Sequence, residues 1–473
     1  MSKRNPIRRG ALGRGLAVSL AGARAGSVFA LDGALRKLKG EGNDLRLQRE
    51  AERFARSLGA LKGSYVKIGQ IFALLGEHFL PEPLTKALHS LESDTQPLDW
   101  RHMEEVFSQA LGNKLTALQI EPQALAAASL AQVHRARIVS SNAEIVIKGQ
   151  YPELIDLLDE DFDAVVRMLR LARWLPASRD FDGWLSLMRE QLKAEVDYPR
   201  ERRMAERMAT ALNASNAKSA FACEVYVPEY YPDFCSADVL AMEYIDGQRL
   251  SAELVAELTQ ETRNNLGKTM LRLFFVEVFD LGLMQSDPNF GNYLIDRDGR
   301  RLSLLDFGSV IELDATIQRA LADTIISGHD EDDERLMDAL IRLGCLREDS
   351  TDYARQTFQS FVRHLLEPLR HPERLPERYL NSDGEYAWAT SDLMTRAGKK
   401  AAGSAATRHF SVPSAEFALI ARKLTGVFTF AKCLAIHAGA FGRPKRSAAS
   451  ANDALAIPTL SIALLSPAFT SLF

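Results

Sequence analysis

The chain has 473 residues, 46% of them apolar and 25% charged, with a net charge of −4. These are the proportions of a globular protein, long enough for one large two-lobed domain with extensions or for two to three ordinary domains. The charge balance speaks against a nucleic-acid binder, and the four scattered cysteines (Cys223, Cys235, Cys345, Cys433), with no CxxC spacing, read as reduced thiols in a cytosolic setting rather than as a zinc site.

Residues 1–39 carry nine Lys or Arg and a single acid, Asp32. Two readings stand, a flexible basic leader or a segment drawn to anionic lipid. Without a long uncharged run it is not expected to be a cleaved secretory signal. Residues 46–79 are predicted to be helical, because Leu58, Leu61, Tyr65, Ile68, Phe72, Leu75 and Phe79 recur at alternating intervals of three and four. Pro81 and Pro83 end that pattern. A second helix is expected over 99–112, capped by Asp99. VHRARIV and EIVIKGQ then alternate as two strands of a hairpin around SSNA. Helical patterns resume over 153–215, a strand-like pair follows at 224–228 and 238–245, and from 251 onward the chain reads as helical. The exception is NYLIDRDGRRLSLLDFG, where DRDG supplies a turn between two short strands. Ala454–Phe473 closes the chain with twenty uncharged residues. That is long enough to span a bilayer, but its two prolines and five hydroxyl residues make it a poor span.

The chemistry lies in the middle of the chain. Lys148, late in the strand IVIK, projects from a rigid element, and Ala126, Ala127, Ala128 and Ser129 form a small-residue loop upstream that would let backbone approach a phosphate. Downstream, LMQSDPNFGNYLI has the turn chemistry of Asp-Pro-Asn and Gly-Asn, but it also sets Asp287 and Asn292 five residues apart. Asp306 opens a DFG nineteen residues beyond Asp287. Strand lysine, apolar hinge segment, DxxxxN and DFG, in that order, make the arrangement of protein-kinase-like phosphoryl transfer. Asp306 and Asn292 offer hard oxygen ligands for Mg²⁺. Asp287 would orient or deprotonate a hydroxyl, and Lys148 would neutralise the α- and β-phosphates of ATP, itself held by a glutamate.

From about Leu58 to Cys433 these motifs resemble the UbiB-like atypical kinases, the aarF-domain-containing kinase family. LKGSYVKIGQ contains its KxGQ, with Lys67, Gly69 and Gln70. ALAAASLAQVHRARI resembles its alanine-rich loop, and AEVDYPRE carries its ExD as Glu195 and Asp197. The resemblance makes Glu201 the helix glutamate that pairs with Lys148, and makes MEYIDG, with Glu243 and Tyr244, the hinge that meets the nucleotide. It implies an α+β, protein-kinase-like two-lobe fold, a small β-rich N-lobe and a large helical C-lobe, with a family-specific N-terminal helical extension and Mg-ATP bound between the lobes. The expected organisation is a basic leader (1–45), the extension with KxGQ (46–115), the N-lobe with the ExD helix insert (116–245), the C-lobe (246–445) and the apolar tail (446–473).

In that picture Lys67 points at Glu195, and the KxGQ helix blocks protein substrates. Many family members carry HxDPHPGN in the catalytic loop, whereas Gln285 and Asn289 stand here, giving QSDPNFGN. That variant resembles the branch associated with coenzyme Q (ubiquinone) biosynthesis. The implied activity is that of an ATP-dependent atypical kinase or ATPase. Its implied partners are a hydrophobic quinone precursor, quinone-biosynthesis enzymes and membrane lipid. It is expected in the cytoplasm, peripheral at the inner face of a membrane, or on the matrix side in a mitochondrion. Two other readings stay open: a conventional protein or small-molecule phosphotransferase of the aminoglycoside type, and an ATP-gated scaffold for a biosynthetic complex.

Overall fold

The computed structural model describes residues 44–61, 64–75, 80, 82–92, 97–152, 154–172, 174–175, 179–219, 221–370, 372–382, 384–393, 395–396 and 414–436. Residues 1–43 of the basic leader and the apolar tail 446–473 lie outside them. Among the described residues no helix is long and apolar enough to cross a membrane. The chain divides into two compact units, Met1–Arg202 with Glu229–Tyr244, and Arg203–Pro228 with Ile245–Phe473.

The apolar stripe predicted as one helix over 46–79 is carried by two, α1 (Asp44–Leu61) and α2 (Ser64–Leu75). Lys62 and Gly63, between them, lie outside the described residues. Leu58, Tyr65, Ile68 and Phe72 of the stripe are buried, whereas Phe79 and the side chains of Leu61 and Leu75 lie outside the described residues. Helix α3 (Glu82–His89) packs on α1 and α2. The predicted helix over 99–112 is α4 (Trp100–Leu111), and Asp99 caps it by accepting a hydrogen bond from the Arg101 amide.

Strand β1 (Leu118–Ala127), β2 (Ala131–Ile138) and β3 (Glu144–Gln150) follow. The expected hairpin is β2–β3, with Val133 opposite Lys148. Strand β1, however, is an addition to the predicted elements. Its sequence, LQIEPQALAA, contains Pro122 and an alanine run that hide its period, and its pairing with β2 shifts register twice. Helices α5 (Leu154–Leu171), α6 (Arg179–Ala194) and α7 (Tyr198–Ser219) fill the span predicted as helical, and α7 runs through the boundary between the units. In the first unit α5 and α6 close over α2. Phe72 stacks there on Phe162 at 5.9 Å between centroids, and each such fully buried ring contributes roughly 1.5–3 kcal/mol.

The segments read as a strand-like pair, β4 (Glu224–Tyr226) and β5 (Val239–Glu243), have different partners. β5 joins β3, completing a four-stranded sheet in the order β1-β2-β3-β5. β4 belongs to the second unit and pairs in parallel with a strand some seventy-five residues on (Glu224 with Arg301). Local period cannot reveal a partner so distant in sequence.

The second unit continues with α8 (Ala252–Glu257) and α9 (Gln260–Phe275), and α9 ends in a π-helical turn, Val276–Leu281, closed by Gly282 at φ 61°. Strands β6 (Leu283–Gln285), β7 (Tyr293–Ile295), β8 (Arg301–Leu304) and β9 (Val310–Glu312) come next. β7 and β8 form the expected hairpin, and β6 pairs with β9. Helices α10 (Ala315–Asp330), α11 (Asp333–Arg342), α12 (Asp352–Leu365) and α13 (Ala415–Cys433) follow among the described residues. α13 packs along α9.

Candidate active site

β3 lies between β2 and β5, so the backbone of Lys148 is paired on both sides. Its Nζ donates to both carboxylate oxygens of Glu201 at 3.1 Å and sits 5.0 Å from the centroid of the Tyr198 ring. The Glu201 side chain is 2% exposed and that of Lys148 17%. The acid is therefore a buried anchor for a lysine that is only partly buried.

Glu201 owes its place to the start of α7. Asp197 caps that helix, its Oδ1 accepting from the Arg200 amide at 2.9 Å and its carbonyl from the Glu201 amide at 2.9 Å. Two residues earlier, Glu195 forms an ion pair with Lys67 at 2.5 Å. Gln70, one turn along α2 from Lys67, accepts from Ser129 Oγ and donates to the Leu91 carbonyl, both at 3.4 Å. Between them Gly69 meets Leu91, and a Cβ there would lie 2.6 Å from Leu91 Cδ1. The first unit thus brings the KxGQ residues to the ExD segment and to the small-residue turn.

That turn is shorter than the sequence reading had it. Ala126 and Ala127 belong to β1 and pair with Val133 and Gln132, which leaves Ala128 and Ser129 to lead the chain into β2. The Ala128 amide donates to the Ala131 carbonyl across the turn. Glu243 and Tyr244 lie at the end of β5. The amide and carboxylate of Glu243 bond to the Glu229 backbone, and Tyr244 stacks under the Arg135 guanidinium at 3.9 Å.

In the second unit the loop between β6 and β7 is tied down residue by residue. Asn289 Oδ1 accepts from the Gly291 amide at 2.8 Å, and the Asn292 amide bonds back to the Asn289 carbonyl. Asn292 Nδ2 donates to Asp287 Oδ2 at 3.0 Å. The Asn292 backbone carbonyl accepts from the Leu305 amide, which leaves the side-chain oxygen Oδ1 as the acceptor a metal could use. Asp306 Oδ1 accepts from the Gly308 amide at 2.9 Å, fixing the DFG turn. Gln285, fully buried, donates through Nε2 to the Asp306 carbonyl and accepts from the Tyr293 hydroxyl at 3.0 Å.

Among the described residues no group of three or more His, Cys, Asp or Glu side chains could hold a metal. One carboxylate and one amide oxygen fit Mg²⁺, which keeps waters and takes its other ligands from substrate phosphates, better than an ion needing a protein cage.

Three residues of this site escaped the sequence reading. Arg422 Nη2 donates to Asp287 Oδ1 at 2.8 Å, so both oxygens of that carboxylate are engaged. Lys423 donates to the Tyr293 hydroxyl at 3.1 Å and pairs with Glu277, in the π turn, at 3.1 Å. Lys423 and Glu277 are both wholly buried. Burial by itself would lower the lysine, but the Glu277 charge and the Tyr293 phenol outweigh it and hold Lys423 above its ordinary value. The available signal was a break in pattern, since ALIARKLTGVF and LFFVEVF each set charge inside an apolar helical run.

A lysine on the central strand of a small antiparallel sheet, held by a buried helix glutamate, and a helical unit with DxxxxN and DFG together define a protein-kinase-like α+β fold. Residues 90–340, more than half of the chain, match the family model described as the ABC1 atypical kinase-like domain, and the chain belongs to that family. The atypical kinase COQ8, mitochondrial, of Schizosaccharomyces pombe is 28% identical over 339 residues, covering 70% of this chain and 53% of the relative. COQ8B, mitochondrial, of Danio rerio is 30% identical over 263 residues, covering 55% and 40%. The chain spans about half the length of the curated relatives it matches. Among solved structures, Rv3197 of Mycobacterium tuberculosis, determined with erythromycin, has the same fold, with a TM-score of 0.56 and 24% identity over 83% of this chain and 94% of that one.

Proposed function

We propose that this protein is an ATP-dependent atypical kinase or ATPase that supports ubiquinone synthesis at a membrane surface. The observation that carries the reading is the asymmetric pair Lys148–Glu201, a buried acid holding a partly exposed strand lysine, in a chain that also fixes Asp287, Asn292 and Asp306 by hydrogen bonds. Lys148 neutralises the α- and β-phosphates. Ala128 and Ser129 let backbone approach them, with Ala126 and Ala127 as the strand that delivers the turn, and the hinge at Glu243 and Tyr244 meets the base. Asn292 and Asp306 supply protein oxygens to Mg²⁺, which offsets charge on the β- and γ-phosphates when bound. Asp287 orients the attacking hydroxyl, of water or of an acceptor.

The Lys67–Glu195 and Gln70–Ser129 contacts support a KxGQ helix that denies a protein substrate access to the small-residue turn. A small hydrophobic acceptor, or hydrolysis itself, suits such a site. The resemblance to the coenzyme Q branch, with relatives named as mitochondrial atypical kinases COQ8 and COQ8B, makes quinone precursors, the enzymes that modify them and membrane lipid the first partners to test. In a mitochondrion the matrix face of the inner membrane is the corresponding location.

The test is ATP turnover by the purified protein, with and without anionic liposomes and a phenolic quinone-precursor mimic, beside Asp287→Asn. Turnover that rises with both additions and vanishes in the variant is expected. A flat response to lipid and phenol would remove the membrane and quinone part of the reading, and unchanged turnover in Asp287→Asn would remove the catalytic part.

A further inference from the structure

Among the contacts of helix α13 with the segment Asp287–Tyr293, three bear on the acids, and two of them come from adjacent residues. Arg422 donates to the Asp287 carboxylate at 2.8 Å. Lys423, next along the chain, turns inward and starts a buried relay. Its Nζ donates to Tyr293 Oη at 3.1 Å, Tyr293 Oη donates to Gln285 Oε1 at 3.0 Å, and Gln285 Nε2 donates to the carbonyl of Asp306. Each donor in that series fits one acceptor only. An ammonium can only donate, so the phenol must accept from it and give its own proton to Gln285, whose amide must then present nitrogen to the carbonyl. The third point is Gly426, where a Cβ would lie 2.0 Å from Pro288 Cβ. The helix therefore rests directly on the residue after Asp287.

We propose that Arg422 and Lys423 are positioning residues that set the two acids of the site independently. Arg422 acts on Asp287 directly, and Lys423 acts on Asp306 through Tyr293 and Gln285. The inference rests on the reading of Asp306 as a Mg²⁺ ligand and of Asp287 as the group facing the acceptor. Glu277 supplies the charge that keeps Lys423 in place without touching either acid. The buried relay holds the backbone of Asp306 from behind, while its carboxylate is held by the Gly308 amide. A metal ligand held at both ends meets its ion without first being ordered, which is the advantage of a preorganised site.

The two arms make different demands on experiment. Tyr293→Phe removes one oxygen from the relay and keeps the ring. It should raise the Mg²⁺ concentration at the midpoint of nucleotide-dependent thermal stabilisation about threefold to tenfold, the worth of one buried hydrogen bond, and leave metal-free nucleotide binding unchanged. Arg422→Gln should lower kcat about tenfold or more, as expected for a lost charge-assisted bond, with the Mg²⁺ midpoint unmoved, and Arg422→Lys should restore part of the loss.

Tyr386→Phe is the control. It also removes a buried phenol, one bonded to Glu367 at 2.7 Å, and should lower Tm without moving the midpoint. If Tyr293→Phe keeps the parent midpoint while Asp306→Asn shifts it, the relay has no positioning role and the inference falls. If Asp306→Asn also keeps the parent midpoint, it is the assignment of Asp306 to the metal that fails. Should Tyr293→Phe and Arg422→Gln both move kcat and midpoint together, the independence of the two arms is refuted.

Discussion

Two lysine–glutamate pairs, Lys148–Glu201 and Lys423–Glu277, have the same closest separation, 3.1 Å, and opposite surroundings. In the first the acid is buried and the lysine keeps 17% of its side chain exposed; in the second both side chains are at 0%. Chemical identity and distance are therefore poor guides to what an ion pair does, and exposure is the better one. A lysine that keeps part of its side chain exposed can turn toward an anion that arrives. A lysine sealed with its acid can only hold neighbours in place, because separating the pair would strand a charge in a medium that solvates it badly.

The largest effect expected from that contrast is in Lys423→Met. Leaving Glu277 without its partner should destabilise the protein by about 3–5 kcal/mol, seen as a lower urea midpoint; a loss of under about 1 kcal/mol would overturn the distinction. Glu201→Gln should act the other way round. It leaves a lysine with 17% of its side chain exposed, so stability should fall by only roughly 1–2 kcal/mol, while ATP affinity drops about tenfold to a hundredfold as Lys148 loses the acid that holds it for a phosphate. Equal losses of stability in the two variants, with unchanged ATP affinity, would erase the contrast.

Gly426→Ala tests the seating of α13 apart from any charge. The added methyl must displace Pro288 or the helix, at a cost of about 1–3 kcal/mol, read as a drop in Tm.

The smallest effect belongs to His134, which is buried to the same degree as the Lys423 pair but is uncharged. Its Nδ1 donates to the Glu121 carbonyl at 2.8 Å, so Nε2 is the acceptor facing the Gln132 amide at 3.0 Å. Burial holds the imidazole below its ordinary value of 6.5, against the backbone hydrogen bond that raises it. The unfolded chain then binds the extra proton first, so this contribution is complete above the unfolded value and is lost as pH falls below it. His134→Gln should flatten the decline in Tm between about pH 7 and about pH 5, and a parent protein with no decline across that interval would dispose of the idea.

What was legible in the sequence follows a simple division. Elements stabilised by near neighbours announced themselves. Asp99 capped its helix, the β2–β3 hairpin kept its register, and DRDG turned β7 into β8. Lys148 could be singled out because a strand lysine followed by DxxxxN and DFG has few other uses. Elements whose partners lie far along the chain were not legible. β4 needs β8, and nothing in EVY names a partner at Arg301. β1 was hidden by Pro122 and by alanines that read equally as loop or helix. Arg422 and Lys423 lie 135 residues from Asp287 and 130 from Tyr293. Two basic residues side by side on a helix read by default as a solvated face, and only the fold shows one gripping a carboxylate and the other sealed within the core.

The seven residues Glu195–Glu201 carry three carboxylates with three tasks: Glu195 takes Lys67, Asp197 starts α7, and Glu201 takes Lys148. Helix α2 and strand β3 are thus tied to the chain within a single turn, one on each side of the cap at Asp197. One short segment is therefore the common anchor of two lysines that lie far apart in the sequence.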